Sequence, residues 1–134
     1  MTDLIIENSY AIFRPSCEVS FREGVALVSE ALRHCVKCKI SSIIINTTGL
    51  TGFKPPDTMD RYSMGEEWAM AGAGSVIVAV VARPELIDPQ RFGLIVARNR
   101  GQSAEVFTSE EEAVAWLLKL SNAQSTGIPI RITP

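Results

Sequence analysis

Apolar residues in this chain fall into short continuous runs that alternate with helical stripes, and polar or glycine-containing segments separate them. The clearest region is 76–117. Residues 76–82, VIVAVVA, form an apolar run rich in β-branched side chains, bounded by Gly74-Ser75 and Pro84. It is too short for a typical helix and matches a strand buried on both faces. Asp88-Pro89 predicts a helix start, an oxygen-bearing cap followed by a residue without an N–H. Phe92, Ile95 and Val96 give that helix its apolar stripe. Arg98 and Arg100 load its last turn, and Gly101 is the expected left-handed stop. Residues 104–108, AEVFT, predict a short strand. Ser109 with Glu112 predicts a capping box ahead of a stripe of Ala113, Trp116, Leu117 and Leu120.

The first half repeats this alternation. LIIE (4–7) and YAIFRP (10–15), separated by Asn8-Ser9, predict an antiparallel hairpin. Ser20 and Glu23 form a second capping box, and Val25, Val28, Ala31, Leu32 and Cys35 mark one helical face. Arg33, Lys37 and Lys39 load the end of that helix. SSIIINTTG (41–49) predicts a buried strand ending in hydroxyl residues and glycine. A polar, proline-containing loop, TGFKPPDT (51–58), leads to a helix from about Met59 to Met70, with Tyr62, Trp68 and Ala69 as its anchors. The resulting order is strand, strand, helix, strand, helix, strand, helix, strand, helix. It predicts an α/β domain: a mixed sheet with a parallel core, an N-terminal antiparallel hairpin at the edge, and about four helices.

At 134 residues the chain has the usual length of one domain. Residues 1–120 are expected to form it, with 121–134 as a tail, either disordered or a strand-like arm ending in IPIRITP. A formal charge of −2 and a pI near 5.4 give no general attraction to nucleic acid or anionic membrane. No apolar run approaches a membrane span, and no basic-plus-apolar export signal opens the sequence. A cytoplasmic protein without membrane insertion is expected. Three cysteines do not make a disulfide framework and fit that setting.

In open α/β sheets ligands bind outside the carboxyl ends of the parallel strands. There the sequence places Thr47, Thr48, Gly49, Thr51 and Gly52 after one strand and Arg83 and Glu85 after the next. Lys54, Asp57, Asp60 and Arg61 follow in the adjoining loop and helix start. Together they form a polar rim suited to an anion or a partner surface, although an ordinary strand-to-helix loop has the same composition. The glycines match neither the dinucleotide fingerprint nor the phosphate-binding loop, so no nucleotide cofactor is expected. Cys35 and Cys38 fall at a helix C-terminus, where the dipole disfavours thiolate, and a zinc site with His34 would require Cys17 to fold across. Neither a metal nor a redox centre is expected. Glu110, Glu111 and Glu112 read as first-turn helix acids. Arg91, Arg98 and Arg100 read as a solvated face or a basic stripe. Met59, Met64 and Met70 suit core filling or an adaptable apolar cleft.

Four segments, IIINTTGLTGF (43–53), VIVAVVARPE (76–85), FGLIVARNRG (92–101) and VFTSEEEAVAWL (106–117), resemble the STAS superfamily, which includes bacterial anti-anti-sigma factors. The nearer resemblance is to its STAS/CRAL-TRIO-like branch, and it spans roughly residues 3–120. It implies a STAS-like fold and one of two functions. Anti-anti-sigma factors are switch modules whose phosphorylated serine, in an Asp-Ser pair before the second helix, breaks docking to a kinase. Asp57-Thr58 stands at that place here, preceded by Lys54-Pro55-Pro56, which makes Thr58 the phospho-acceptor candidate; the alternative is that Asp57 or Thr58 caps the helix. The CRAL-TRIO relatives bind lipids in an apolar cavity. The expectation is therefore a non-catalytic regulatory or binding module acting through the strand-end loops on a partner protein or small ligand. The alternatives are a carrier of a small apolar or amphipathic molecule, using a cleft beneath the second helix, and, third, a small enzyme. A homodimer is expected through sheet edges.

Overall fold

The computed structural model describes residues 4–7 and 10–126. A five-stranded sheet is built from β1 (Leu4–Glu7), β2 (Tyr10–Phe13), β4 (Ser42–Asn46), β6 (Ile77–Val81) and β7 (Ala104–Phe107), in the order β1-β2-β4-β6-β7. The β1–β2 pair is antiparallel and every other pair in this sheet is parallel. Four α-helices, α1 (Phe21–Cys38), α2 (Thr58–Gly72), α3 (Phe92–Asn99) and α4 (Glu110–Thr126), complete the expected α/β architecture. Glu7 pairs with Tyr10 across the predicted hairpin; the turn residues 8–9 lie outside the described residues.

Successive strand residues point to opposite faces, and the core divides along that alternation. Ala11, Phe13, Ile43, Ile45, Val78 and Val80 face α1, with Val25, Val28, Ala31, Leu32 and Cys35 packed on them, together with Trp68 and Ala71 of α2 and Leu94 of α3. Tyr10, Ile12, Ile44, Ala79 and Val81 face the other way, onto Ala113 and Leu117 of α4. The middle of the central strand β4, Ile43–Ile45, is apolar because both of its faces are covered.

Two short strands add to the expected order. β3 (Ser16–Glu18) and β5 (Gly49–Thr51) pair in parallel beyond the ends of β2 and β4. A Cβ on Gly49 would lie 2.8 Å from the Pro15 carbonyl oxygen, and Gly52 has φ +95°, so the glycines of this loop permit a close strand pair and its exit turn.

The capping box of α1 forms as predicted: Ser20 Oγ accepts from Glu23 N and the Glu23 carboxylate accepts from Ser20 N. At α4 half of the predicted box forms. Ser109 Oγ accepts from Glu112 N, while the Glu112 carboxylate accepts from the Thr108 and Ser109 hydroxyls. The start of α3 differs from expectation. Asp88 accepts from the backbone N–H groups of Gln90 and Phe92, making a side-chain-closed turn, so the helix begins at Phe92 after Arg91 in a left-handed conformation. Its buried face is Gly93, Leu94, Val96 and Ala97; Ile95 is exposed. Gly101 is the left-handed residue beyond its end.

Tyr62 is half-buried rather than an anchor, lying beneath the Arg100 guanidinium, whereas Trp68 and Ala69 are buried. Trp116 is half-buried against Phe107. α4 runs on to Thr126, so the expected tail boundary at residue 120 falls inside a helix, and IPIRITP lies outside the described residues. None of the described helices is long and apolar enough to cross a membrane.

Candidate functional site

An apolar cleft of about 130 Å³ opens near the carboxyl ends of the parallel strands. Val80 and Ala82 from the end of β6 and Val106 from β7 form one wall. Phe21, Gly24, Val25 and Val28 of α1 form another, and Met64 and Trp68 of α2 with Gly93 and Leu94 of α3 close it opposite. Leu50, Phe53 and Pro56 enter from the loop after β4, and Leu86 and Ile87 from the turn after β6. The polar lining comes from Thr47, Arg61, Asp88 and Arg91.

Each of these polar groups is tied down. The Thr47 hydroxyl donates to the Val81 carbonyl at 2.9 Å. Arg61 donates from Nη1 to the Pro56 carbonyl at 2.8 Å and from Nη2 to the Leu86 carbonyl at 3.3 Å. Those two acceptors hold its position without neutralising its charge, and among the described residues no carboxylate pairs with it within 4.0 Å. Asp88 titrates below the ordinary carboxylate range. The Phe92 N–H is the main cause; desolvation opposes it, and the Gln90 N–H and the charge of Arg61 add to it. Arg91 is half-exposed and lies 3.5 Å from a Glu105 oxygen.

The expected rim residues separate into three groups. Arg61 lines the cleft, and Arg83 stands beside it, donating from Nη2 to the Leu50 carbonyl at 3.3 Å, with Nε 3.9 Å from Glu85. Asp57 and Asp60 form the capping box of α2, each accepting from the other's backbone N–H. Asp57 is therefore the cap, and Thr58 is an exposed first helical residue. Thr51 and Lys54 are exposed on the loop around β5. Thr48 belongs elsewhere: its N–H and hydroxyl both donate to Asn46 Oδ1, at 3.0 and 2.6 Å.

Asn46 continues a second polar cluster on the α4 side of the sheet. Its Nδ2 donates to Glu110 Oε2 at 2.7 Å, and Arg14 grips the same carboxylate through Nε and Nη2 at 2.8 and 2.9 Å. The Glu110 carboxyl is pulled below its ordinary value, chiefly by the Arg14 hydrogen bond, against desolvation and with help from Asn46. A carboxylate whose folded pKa is depressed stabilises the fold above its unfolded value, and that contribution is lost as the pH falls through the folded value. Glu110→Gln is therefore expected to lower stability at pH 7 and to match the parent increasingly closely as acid is added below about pH 4.5, the unperturbed glutamate value. Urea melts of both proteins from pH 7 to pH 3 measure this; a constant gap across that range would contradict it.

The arginines of the α3 region form no free basic stripe. Arg98 pairs with Glu105 at 2.9 Å and Arg100 with Glu66 at 2.7 Å. His34 Nε2 lies 3.7 Å from Cys38 Sγ, and no group of three or more metal-ligating side chains occurs among the described residues. Burial, then the neighbouring Cys38, push the Cys35 thiol up to about 11, while Cys17 and Cys38 are exposed. Native protein is therefore expected to give two fast thiol equivalents with a disulfide reagent, and a third only on unfolding. Three fast equivalents would contradict the burial of Cys35.

Of the rim residues that the sequence puts at the strand ends, Thr47 and Arg61 line the cleft, and Met64 lines it from the second helix; the walls from α1, α3 and the sheet have no counterpart in the sequence reading. Val25 and Val28 read as ordinary helix core, and nothing in their spacing distinguishes a cleft wall from a core face. Phe21 and Phe53, whose rings lie 6.1 Å apart, were the available signal: two aromatic residues flanking strand-end loops. No protein-family model matches this chain, and no curated protein matches it.

Proposed function

We propose that this protein is a non-catalytic regulatory or binding module, of STAS-like kinship, that engages a partner protein through its strand-end face. The supporting observation is the apolar cleft at the carboxyl ends of the parallel strands, with Arg61 held in it by carbonyl groups and lacking a carboxylate partner among the described residues. In this reading the protein is cytoplasmic. Thr58, exposed at the first turn of α2 and two residues from Pro56 of the cleft lining, is the phospho-acceptor that alters the docking face. β1 is the end strand of the sheet among the described residues, and Ile5 and Ile6 on it are exposed, which favours a homodimer; a monomer by light scattering at tens of micromolar would reject that part.

Crosslinking in the host cell tests the docking face. Photoreactive residues replace Thr51 or Lys54 on it, and Ser41 or Gly74 at the opposite ends of the strands. One discrete crosslinked protein from the first pair, absent from the second, is expected. Equal products from both pairs, or none from the first, would reject the proposal. Thr58→Glu should reduce the specific product; an unchanged yield would remove the switch. Because Asp57 is the cap, Thr58→Ala should leave the melting temperature nearly unaltered.

The second reading is a carrier of a small apolar or amphipathic molecule. Met64 in the wall of the cleft favours it, whereas Met59 and Met70 are exposed and contribute nothing. Pockets for drug-sized ligands usually enclose about 300–1,000 Å³. A cleft of about 130 Å³ suits a single ring or a branched chain better than a lipid.

A further inference from the structure

We infer that the cleft beneath α2 is the receptor for a small apolar monocarboxylate, with a body no larger than one aromatic ring or a branched alkyl chain, and that the carboxylate is taken by Arg61. This rests on the strand-end face being the working surface. It adds a ligand class that makes that face responsive to a small molecule.

Size sets the first limit. An apolar cavity of about 150 Å³ is enough to admit benzene, and this cleft is of similar volume, about 130 Å³. A long acyl chain does not fit. The walls set the second limit. Val28, Val80 and Leu94 carry no hydrogen-bonding group, Met64 has only a weakly accepting thioether, and the Trp68 indole N–H is given to the Val25 carbonyl, so most of the occupant is hydrocarbon.

Charge sets the third. Two arginines and one aspartate line the cleft, leaving one excess positive charge. Asp88 accepts two backbone N–H groups and feels the charge of Arg61 without an ion pair to it within 4.0 Å, and Arg91 shares Glu105 with Arg98. Arg61 is the cation still without a carboxylate among the described residues. A guanidinium carries five N–H donors, and the Pro56 and Leu86 carbonyls engage one nitrogen each, so donors remain for an incoming anion. Those carbonyls also fix the guanidinium before a ligand arrives, which lowers the ordering cost of binding. A neutral hydrocarbon would fill the walls and leave these donors unused, and a dianion would bring a second charge close to Asp88.

Phenylacetate and isovalerate are suitable probes, with phenylacetamide as the neutral isostere and palmitate as the over-long acid. Amide NMR spectra of the full chain read their binding. Phenylacetate should shift resonances of Val28, Trp68 and Leu94, saturating with a Kd of about 1 mM or below. Phenylacetamide should bind about ten-fold more weakly, since a charge-assisted hydrogen bond is replaced by a neutral one. Palmitate should not shift the wall residues. Arg61→Gln should erase the preference for acid over amide while retaining weak binding of both. Val28→Trp, which fills the cleft from the α1 side, should abolish binding while leaving the remaining spectrum dispersed. Equal affinity for acid and amide would overturn the ligand class, as would preserved acid preference in Arg61→Gln. An absence of shifts at about 10 mM phenylacetate and isovalerate, well above the expected Kd, would overturn the receptor itself. Crosslinking from Thr51 and Lys54 uses no small ligand, so it judges the docking face separately from these outcomes.

Discussion

Trp68→Ala is expected to lower the unfolding free energy by about 3–5 kcal/mol, the usual range for emptying a buried indole site. Trp68 is 7% exposed, packs in the cluster formed by α1 and the sheet, and donates from Nε1 to the Val25 carbonyl at 3.4 Å. Alanine removes the ring contacts and leaves that carbonyl without its indole donor. A domain of this size has about 5–15 kcal/mol to lose, so the variant should unfold at much lower urea while still folding in buffer. Trp68→Phe keeps most of the packing and should cost distinctly less. The second tryptophan, Trp116, remains half-buried against Phe107 and gives a fluorescence signal for both melts. The same substitution enlarges the cleft that Trp68 lines, so a two-ring acid such as naphthylacetate should bind the alanine variant better than the parent. A loss under about 1 kcal/mol would show that α2 does not depend on this anchor.

How far the fold was legible follows from which residues carry each element. α1 was plain because its buried residues keep the helical period and its cap is a serine-glutamate pair. α2 was obscure for a physical reason. Its buried residues are Gly65, Trp68, Ala69, Ala71 and Gly72, and four of the five are too small to register as an apolar stripe. β3 and β5, three residues each, are shorter than any useful hydrophobic pattern. The α3 start was misplaced because Asp88 beside proline resembles a cap, whereas its carboxylate closes a turn instead.

The candidate site was legible to the same uneven degree. Its location follows from the order of strands and helices, which sequence reveals. Its apolar lining comes from three helices, three strands and the loops after β5 and β6, whose proximity is set only by the fold. Glu110 illustrates the limit. It reads locally as one of three acids in a helix start, yet its partner Arg14 is 96 positions away. Arg61 was singled out by position alone, and the carbonyl groups of Pro56 and Leu86 that orient it could not be anticipated.

The small residues of α2 make the final prediction. A Cβ on Gly65 would lie 2.5 Å from the Gly93 carbonyl oxygen and 2.9 Å from Val96 Cβ, so α2 and α3 cross with backbone against backbone. Gly93 faces the same crossing: its Cβ would lie 2.6 Å from Met64 Cε and 3.2 Å from the Arg61 carbonyl oxygen. A carbonyl cannot retreat as a flexible side chain can. Helix propensity alone would make Gly65→Ala favourable by about 1 kcal/mol, but overpacking costs about 1–3 kcal/mol. The alanine variant should therefore be neutral to destabilised by about 2 kcal/mol. Gly65→Val adds two methyl groups beside Val96 and should reach about 3 kcal/mol or more. Ser63→Ala, at an exposed position of the same helix, serves as the propensity control and should raise stability slightly. Because Met64 and Gly93 both line the cleft, parting α2 from α3 should weaken phenylacetate binding in Gly65→Val even where the domain remains folded. Val96→Ala should recover part of the stability of Gly65→Val, and the double-mutant coupling measures how much of the cost arises at that contact. A Gly65→Val protein as stable as Ser63→Ala would mean that the two helices do not meet at these glycines.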